Sequence, residues 1–560
     1  MYELREHGLY ITKHDSDPLY LCGRLQVLAI TRNNKQKGSF GRLIEWTNID
    51  GQKFQQVILM RQIINDGGRQ LRELLVDSGL HVSSSRNTWD SIIGYITQSK
   101  TKERAICVEN TGWLERSYVT PGWTAGLSKE EVVFSGNLND EALEEKGSLN
   151  GWQKELAPLC QNNPLLTFSV CVAIAAPLVH WLGWDSCGFH LVGSSKSGKT
   201  TAMKLAASIF SDENYWVSWR STTNGLEAIS ASRNDMLLCL DEFHQASPEE
   251  VDQSIYTLSN GVSKIRSNQD GSLASRKRWK LLFLSTGEIG LSEMLEKVQR
   301  SPKAGQSIRF LEIPVIGKYN AFDDIHGYAS GKEFADAINE KIKNNHGSLI
   351  QPWVNHLSSI DDLPTYLINN IKELTSRWQF NSKGNQFGYA LDRFALLAIA
   401  GEMATKIGLL PWDCGDSEKA IFNIIESWIA ARGYESDSED QFLLKQLPKA
   451  LNKWRNKVIV PNQELKQDHS GYWRIEANEV VWYLARDSFK SGLEINHSTQ
   501  VPGIAHLMDK KLWLQTNEPK RGTLKITLFD KSKRYFKVYP ERISKDLSLN
   551  MNFTQFISHN

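Results

Sequence analysis

Between residues 150 and 320 short apolar runs alternate with stretches whose apolar positions recur at helical spacing. That alternation predicts strands and helices in turn, the pattern of a parallel α/β sheet. The runs at 236–240 and 281–284 are apolar at successive positions, as strands covered on both faces must be, and 189–192 is a further, largely apolar strand. Residues 1–148 carry apolar runs at 19–30, 43–46 and 57–60, with Asp50-Gly51 predicting a hairpin turn. Residues 69–79 and 88–97 read as helices, which makes this region α+β. Residues 330–433 are helical, with apolar periodicity over 391–407 and over 417–432, where Gly433 predicts a stop. The acidic run 435–440 reads as a linker. Beyond it the chain predicts helices at 442–454, 477–488 and 503–511 and strands at 512–515 and 524–528. The divisions that follow are 1–148, 149–320, 321–434, the 435–440 linker and 441–560. Residues 165–182 are apolar over a span that could cross a membrane. They contain Thr167, Ser169, Pro177 and His180 and lack flanking cations, so they predict a buried core helix.

A length of 560 residues suits about three domains. With 41% hydrophobic and 23% charged residues the composition is that of a soluble globular protein. The seven cysteines are odd in number and form no CxxC pair, which predicts neither a disulfide framework nor a zinc ribbon, and a reducing cytoplasmic location. The first ten residues lack the apolar core of a signal peptide. A net charge of +1 speaks against a histone-like basic arm or an acidic disordered chain.

Gly193, Ser194, Ser195, Lys196, Ser197, Gly198, Lys199, Thr200 and Thr201 fit the GxxxxGK[ST] phosphate loop. The motif follows a predicted strand and opens a predicted helix, the context it requires. Its glycines let the backbone wrap phosphates, and its amides and the helix N-terminus supply positive potential. Lys199 would reach the β- and γ-phosphates of ATP, and the Thr200 hydroxyl would ligate Mg²⁺. Forty-two residues after Lys199, a buried strand ends in Asp241 and Glu242. Asp241 would hold Mg²⁺ through water, and Glu242 would orient and deprotonate the attacking water. His244, in the same string, is read as a surface or packing residue. The next strand, 281–284, ends in Ser285-Thr286; Thr286 is the candidate for contact with the γ-phosphate and Ser285 the second choice. Arg309 sits in an otherwise apolar, strand-like run and needs an anionic partner, either a γ-phosphate on a neighbouring subunit or an intrachain carboxylate.

Between the second and third of these strands Asp270-Gly271 predicts a hairpin flanked by Lys264, Arg266, Arg276, Lys277 and Arg278. Such a basic hairpin would track a DNA backbone with little sequence preference. In 441–560 the helices and strands resemble a winged-helix pattern, with 504–511 as its recognition helix. Trp454, Trp473, Trp482 and Trp513 are read mostly as core.

At this point a family resemblance is visible. It is carried by GWQ at 151–153, GSSKSGKTT at 193–201, WRSTTNGLE at 219–227, LDEF at 240–243, SNGVSKIR at 259–266, Trp279 ahead of LSTGE at 284–288, AGQSIRF at 304–310, RFALLAIAGEMA at 393–404 and SWIAARG at 427–433. The chain resembles the replicative helicases of mobile genetic elements, of the staphylococcal cassette chromosome and phage-satellite type. These were long described only as a domain of unknown function; they are AAA+ proteins similar to the archaeal and eukaryotic MCM helicases. The match covers about 1–433, and the remainder matches in pattern only. The resemblance implies an α/β fold with an AAA+ P-loop ATPase core at 149–320, an α+β N-terminal domain, a helical lid and a C-terminal winged-helix-like domain. It implies an ATP- and Mg²⁺-dependent, hexameric DNA helicase that loads itself at an origin and moves on single-stranded DNA. By position, Lys199, Thr200, Asp241, Glu242, Thr286 and Arg309 take the roles given above. Arg393 falls where a second sensor arginine could lie, and the pre-sensor hairpin falls on 264–277. An ATP-switched initiator or loader without processive unwinding is the alternative, and a protein-remodelling ATPase is a third reading. No primase motif is present, so priming falls to a separate primase or polymerase.

The charge balance hides a distribution. Residues 441–560 hold 20 Lys and Arg against 11 Asp and Glu, leaving 45 against 53 in residues 1–440. An acidic body and a basic tail cancel. The 441–560 fragment is therefore expected to bind DNA with a steep salt dependence, measured by titration at several salt concentrations. Salt-insensitive binding would return the tail to a structural role.

Overall fold

The computed structural model describes residues 1–12, 17–35, 37–136, 143–266, 276–300, 302, 304–380, 385–432, 438–459, 469–495, 501–515, 523–528 and 531–553. The chain forms two compact units, one of Met1–Phe380 with Tyr389–Gly433 and one of Asn381–Gly388 with Tyr434–Asn560.

In the first unit, the centre is a five-stranded parallel sheet. Its strands are β1 (Cys187–Val192), β2 (Val217–Ser218), β3 (Leu237–Asp241), β4 (Leu282–Gly287) and β5 (Phe310–Pro314), in the order β2-β3-β4-β1-β5. Residues 237–240 and 282–286 are buried without interruption, because helices cover both faces. The helix Pro164–Ala175 lies among these covers and is buried from Leu165 to its end. The apolar stretch read as one helix is two. Pro177 has no N–H to continue the ladder, and a second helix, Leu178–Leu182, starts after it. Among the described residues no helix is long and apolar enough to cross a membrane. Helices Gly331–Asn344, Ile350–Ser359, Leu363–Arg377, Asn385–Lys406 and Asp416–Arg432 follow the sheet. Gly401 lets three of the helices close up: a Cβ there would lie 2.7 Å from the Cys171 sulfur and 2.7 Å from Ser417 Cβ.

The N-terminal region has its own mixed sheet, ordered Glu131–Phe134, Arg104–Val108, Leu25–Arg32, Gly41–Thr47, Lys53–Leu59. The expected hairpin joins the last two strands. Leu25–Arg32 alternates buried and half-buried positions, as a strand with one covered face does. Helices Arg69–Asp77 and Thr88–Gln98 pack Leu71, Leu75, Ile92 and Ile96 against it.

A smaller sheet (Gly112–Leu114, Ser117–Val119, Thr124–Gly126) docks this region onto the central one. Its anchor is Asp235, fully buried just before β3. Asp235 Oδ2 accepts from the Trp113 backbone N–H at 2.9 Å and the Asn234 amide at 3.0 Å, and lies 3.1 Å from His180 Nδ1. Gly112, at φ +96, allows the approach, since a Cβ there would come within 2.8 Å of Asp235 Cβ. A buried carboxylate persists only with such donors around it.

The second unit has a core built on Trp454, Trp482, Phe489 and Phe536, and Tyr472, Val481, Tyr483 and Tyr535 form a smaller cluster beside it. Two expectations fail here. Residues 438–440 of the expected linker begin the helix Ser438–Arg455. Residues 477–488, expected as one helix, are half strand and become helical only from Arg486: Ala477 and Asn478 take φ 50 and 64 and turn Gly471–Glu476 back into Glu479–Leu484. Both residues at positive φ form the turn that matches strand twist, and Val480-Val-Trp-Tyr-Leu484 is β-branched and aromatic. The sheet has six strands, with Lys531–Val538 beside Glu479–Leu484. The helix Val501–Lys510 packs Ala505 and Met508 inward. Trp454, Trp473, Trp482 and Trp513 are all buried.

Asp235→Ala leaves the Trp113 amide buried without its acceptor. The expected cost is about 1–3 kcal/mol, read as a lower urea midpoint of unfolding.

Candidate active site

The loop after β1 sits at the edge of the sheet where every strand ends. Gly198 takes φ +87, and a Cβ there would meet that of Ala321 at 2.8 Å. A Cβ on Gly193 would lie 3.0 Å from Val315 Cβ. These contacts hold the loop against the segment after β5, and the helix Lys199–Ala207 starts from it. The unpaired amides of its first turn open on a cavity of about 680 Å³. Lys199 is 7% exposed. Its ammonium donates to the Gly193 and Ser194 carbonyls at 2.8 and 2.6 Å and to Ser197 Oγ at 3.1 Å. Burial pulls its pKa below the usual lysine value, while Glu288, Glu242 and Asp241 oppose that shift. The arrangement presents a fixed positive charge and a set of amides, which together suit a phosphate chain.

Asp241 ends β3. Its Oδ1 accepts from Thr200 Oγ1 at 3.3 Å, from the Glu242 N–H at 3.0 Å, and from Thr286 Oγ1. Thr200 and Asp241 thus offer two hard oxygens side by side. Among the described residues no group of three His, Cys, Asp or Glu could hold a metal by itself. The pair fits Mg²⁺, which takes few protein ligands and keeps water and phosphate oxygens. Glu242 adopts a left-handed conformation, φ 63 and ψ 54. For a residue with a Cβ this costs about 1–3 kcal/mol, and such strain collects at functional sites.

β4 runs through Gly287, past the expected end at residue 284, so Ser285 and Thr286 lie inside it on opposite faces. Thr286 faces Asp241 and the cavity. Ser285 faces a network that sequence reasoning missed. Trp219 Nε1 donates to Ser285 Oγ at 2.8 Å, Ser285 donates to His190 Nδ1 at 2.9 Å, and His190 Nε2 donates to the Ile289 carbonyl at 3.0 Å. His190 is fully buried in β1 and stacks on Phe310, and burial pushes its pKa down to about 4. The one signal in the sequence was a histidine inside an apolar strand. His244, expected as a surface or packing residue, lines the cavity, and its Nε2 lies 3.1 Å from Glu242 Oε2.

Arg309 and Arg393 do not join this cluster within the chain. The Gly188 N–H donates to the Arg309 carbonyl at 2.7 Å, which puts Arg309 at the start of β5 and β1. The loop is at the other end of β1, roughly 20 Å away at the usual rise per strand residue. Arg309 makes the intrachain ion pair that the sequence left open, with Asp185 at 3.2 Å. Partly exposed, that pair is worth about 0–1 kcal/mol, and the guanidinium also donates to Asn260 Oδ1 at 3.4 Å, a long hydrogen bond. Arg393 is 3% exposed, 3.8 Å from the Trp184 ring and 4.3 Å from the Tyr389 ring, and donates to the Tyr389 hydroxyl at 2.7 Å. Cation–π contacts of this kind fix the arginine.

The flanks of the basic hairpin pair antiparallel at their root, with the Ser263 N–H on the Lys277 carbonyl at 3.0 Å and the Trp279 N–H on the Gly261 carbonyl at 2.9 Å. Asp270 and Gly271 lie outside the described residues. Lys264, Arg276, Lys277 and Arg278 are exposed. Arg266 is already committed, to the buried Glu227 at 2.5 Å. Arg276 and Lys277 line a second cavity of about 950 Å³, shared with the edge of the N-terminal sheet and helix Thr223–Ser232.

Residues 2–278 match a family model described as a domain of unknown function, DUF927. No curated protein matches the chain in sequence. Among solved structures, the active helicase Cch of SCCmec type IV superposes with a TM-score of 0.68 at 16% identity, covering 98% of this chain and 99% of that one. The apo C-terminal region of NrS-1 aligns with 69% of this chain and 88% of its own, at 11% identity and a TM-score of 0.28. The resemblance read from the motifs is therefore met in the fold, along the whole chain.

The buried imidazole sets a pH dependence. Above pH 6.5 it is neutral in folded and unfolded chains alike; below, the unfolded chain takes up a proton that the folded ring refuses until about 4. Stability falls across that window, by roughly 3 kcal/mol in full. Urea midpoints at several pH values should show the decline, and His190→Asn should flatten it.

Proposed function

We propose that this chain, built on the fold of the SCCmec helicase Cch, is an ATP-driven replicative DNA helicase of a mobile genetic element. One observation carries the reading: Lys199, Thr200, Glu242 and Thr286 line one cavity, with Asp241 hydrogen-bonded to Thr200 and Thr286, while Arg309 stands at the far end of the same sheet. Lys199 and the loop amides hold the phosphates. Thr200 and Asp241 hold Mg²⁺, which when bound neutralises charge on the β- and γ-phosphates. Glu242 orients the attacking water and takes its proton, and Thr286 keeps Asp241 in place beside the γ-phosphate.

A site that is complete except for an arginine, and an arginine that cannot reach its own site, call for a neighbour. In a closed homo-oligomer, a hexamer by the family resemblance, Arg309 of one subunit enters the cavity of the next. Hydrolysis then passes from subunit to subunit. The exposed hairpin cations Lys264, Arg276, Lys277 and Arg278 grip single-stranded DNA in the central channel, and the basic tail engages origin DNA for self-loading. Priming is left to a separate primase or polymerase.

Glu242→Gln is expected to keep ATP binding, lose hydrolysis by about 100-fold or more, and displace no strand from a forked duplex. Lys199→Ala and Arg309→Ala, each inactive alone, should regain partial hydrolysis when mixed, because a mixed ring contains sites with both residues. A wild-type protein that binds the fork and displaces nothing with ATP would be a loader.

A further inference from the structure

Glu242 is an exposed-side carboxylate on a strained backbone, and its oxygens are not treated alike. Oε2 lies 3.1 Å from His244 Nε2 and accepts from Gln245 Nε2 at 3.4 Å. Oε1 has no partner among the described residues. Glu242, His244 and the Thr286 end of β4 line the same cavity. The turn that brings them together is rigid. Phe243, between Glu242 and His244, is fully buried, with its ring 4.6 Å from His190, 5.1 Å from Trp219 and 5.5 Å from Phe310. The Gln245 N–H closes the turn on the Glu242 carbonyl at 2.9 Å. The backbone of both residues is therefore pinned from below, and the two side chains meet above it.

We propose that His244 is the positioning residue of this site: its Nε2–H holds Oε2 of Glu242 and leaves Oε1 turned to the water that Glu242 deprotonates. The proposal rests on the reading of Glu242 as the base. A glutamate has three rotatable side-chain bonds, and one fixed oxygen removes most of their freedom. A general base works only within hydrogen-bond reach of its proton, so a carboxylate left to wander spends little time in place. Gln245 reaches the same oxygen from a longer distance and is the weaker holder.

The test is steady-state hydrolysis by the full-length protein with ATP varied. His244→Ala is expected to lower kcat by about 10-fold, with KM for ATP within about two-fold. His244→Gln, which restores an N–H donor, should recover most of the loss. His244→Phe, which restores bulk without a donor, should not. In a Glu242→Gln background His244→Ala should cause no further loss, since there is no base left to position. Wild-type kcat in His244→Ala and in His244→Ala/Gln245→Ala, or equal recovery by Phe and Gln, would overturn the assignment while Glu242→Gln stays inactive. If Glu242→Gln itself hydrolyses at the wild-type rate, the base assignment fails first and the proposal goes with it.

Discussion

All five strands of the central sheet run the same way. That one constraint sorts the chemistry of the molecule. Everything that follows a strand emerges at one edge, and everything that precedes a strand gathers at the other. The loop after β1, Asp241 and Glu242 at the end of β3 and Thr286 near the end of β4 are far apart in sequence, and parallel register makes them neighbours: Leu240 pairs with Ser285, and Ser285 with His190. The same rule sends Arg309, which precedes β5, and Asp185, which precedes β1, to the opposite edge. No local feature of any of these segments would do so.

Much of the site was legible because its signals are local. A glycine-rich loop between strand and helix, and an acidic pair after an apolar run, declare themselves within a dozen residues. Parity did not declare itself. Whether Ser285 or Thr286 faces the cavity depends on where β4 ends, and the strand runs three residues past its apolar run because its polar residues find buried partners. Those partners, His190 and Trp219, are 95 and 66 positions away. His244 was hidden for a related reason: its contact depends on Glu242 being left-handed, which no residue preference announces. In the second unit the error had the opposite origin. Asn478 can cap a helix, but Ala477 and Asn478 both take positive φ here, and the β-branched and aromatic residues after them pair as a strand.

Buried charge marks the joints between parts. Asp235 ties the N-terminal region to the foot of β3, and Glu227 ties the hairpin root to helix Thr223–Ser232. Each carboxylate has backbone N–H or side-chain donors from the other part, so sliding the parts past one another would take those donors away and leave the charge buried. Packing alone would tolerate sliding; a buried anion with directed donors specifies one docked arrangement.

The root of the basic hairpin has one more property. Trp279 is hydrogen-bonded across the root and buried, and β4 begins three residues later. A hydrogen-bonded strand resists stretching along its axis, and this one is paired with β1 from Leu282 to Gly287 and with β3 from Leu282 to Ser285. It behaves as a tie rod. The hairpin root and Thr286, whose hydroxyl rests on Asp241, are the two ends of that one member, and its length fixes the distance between them.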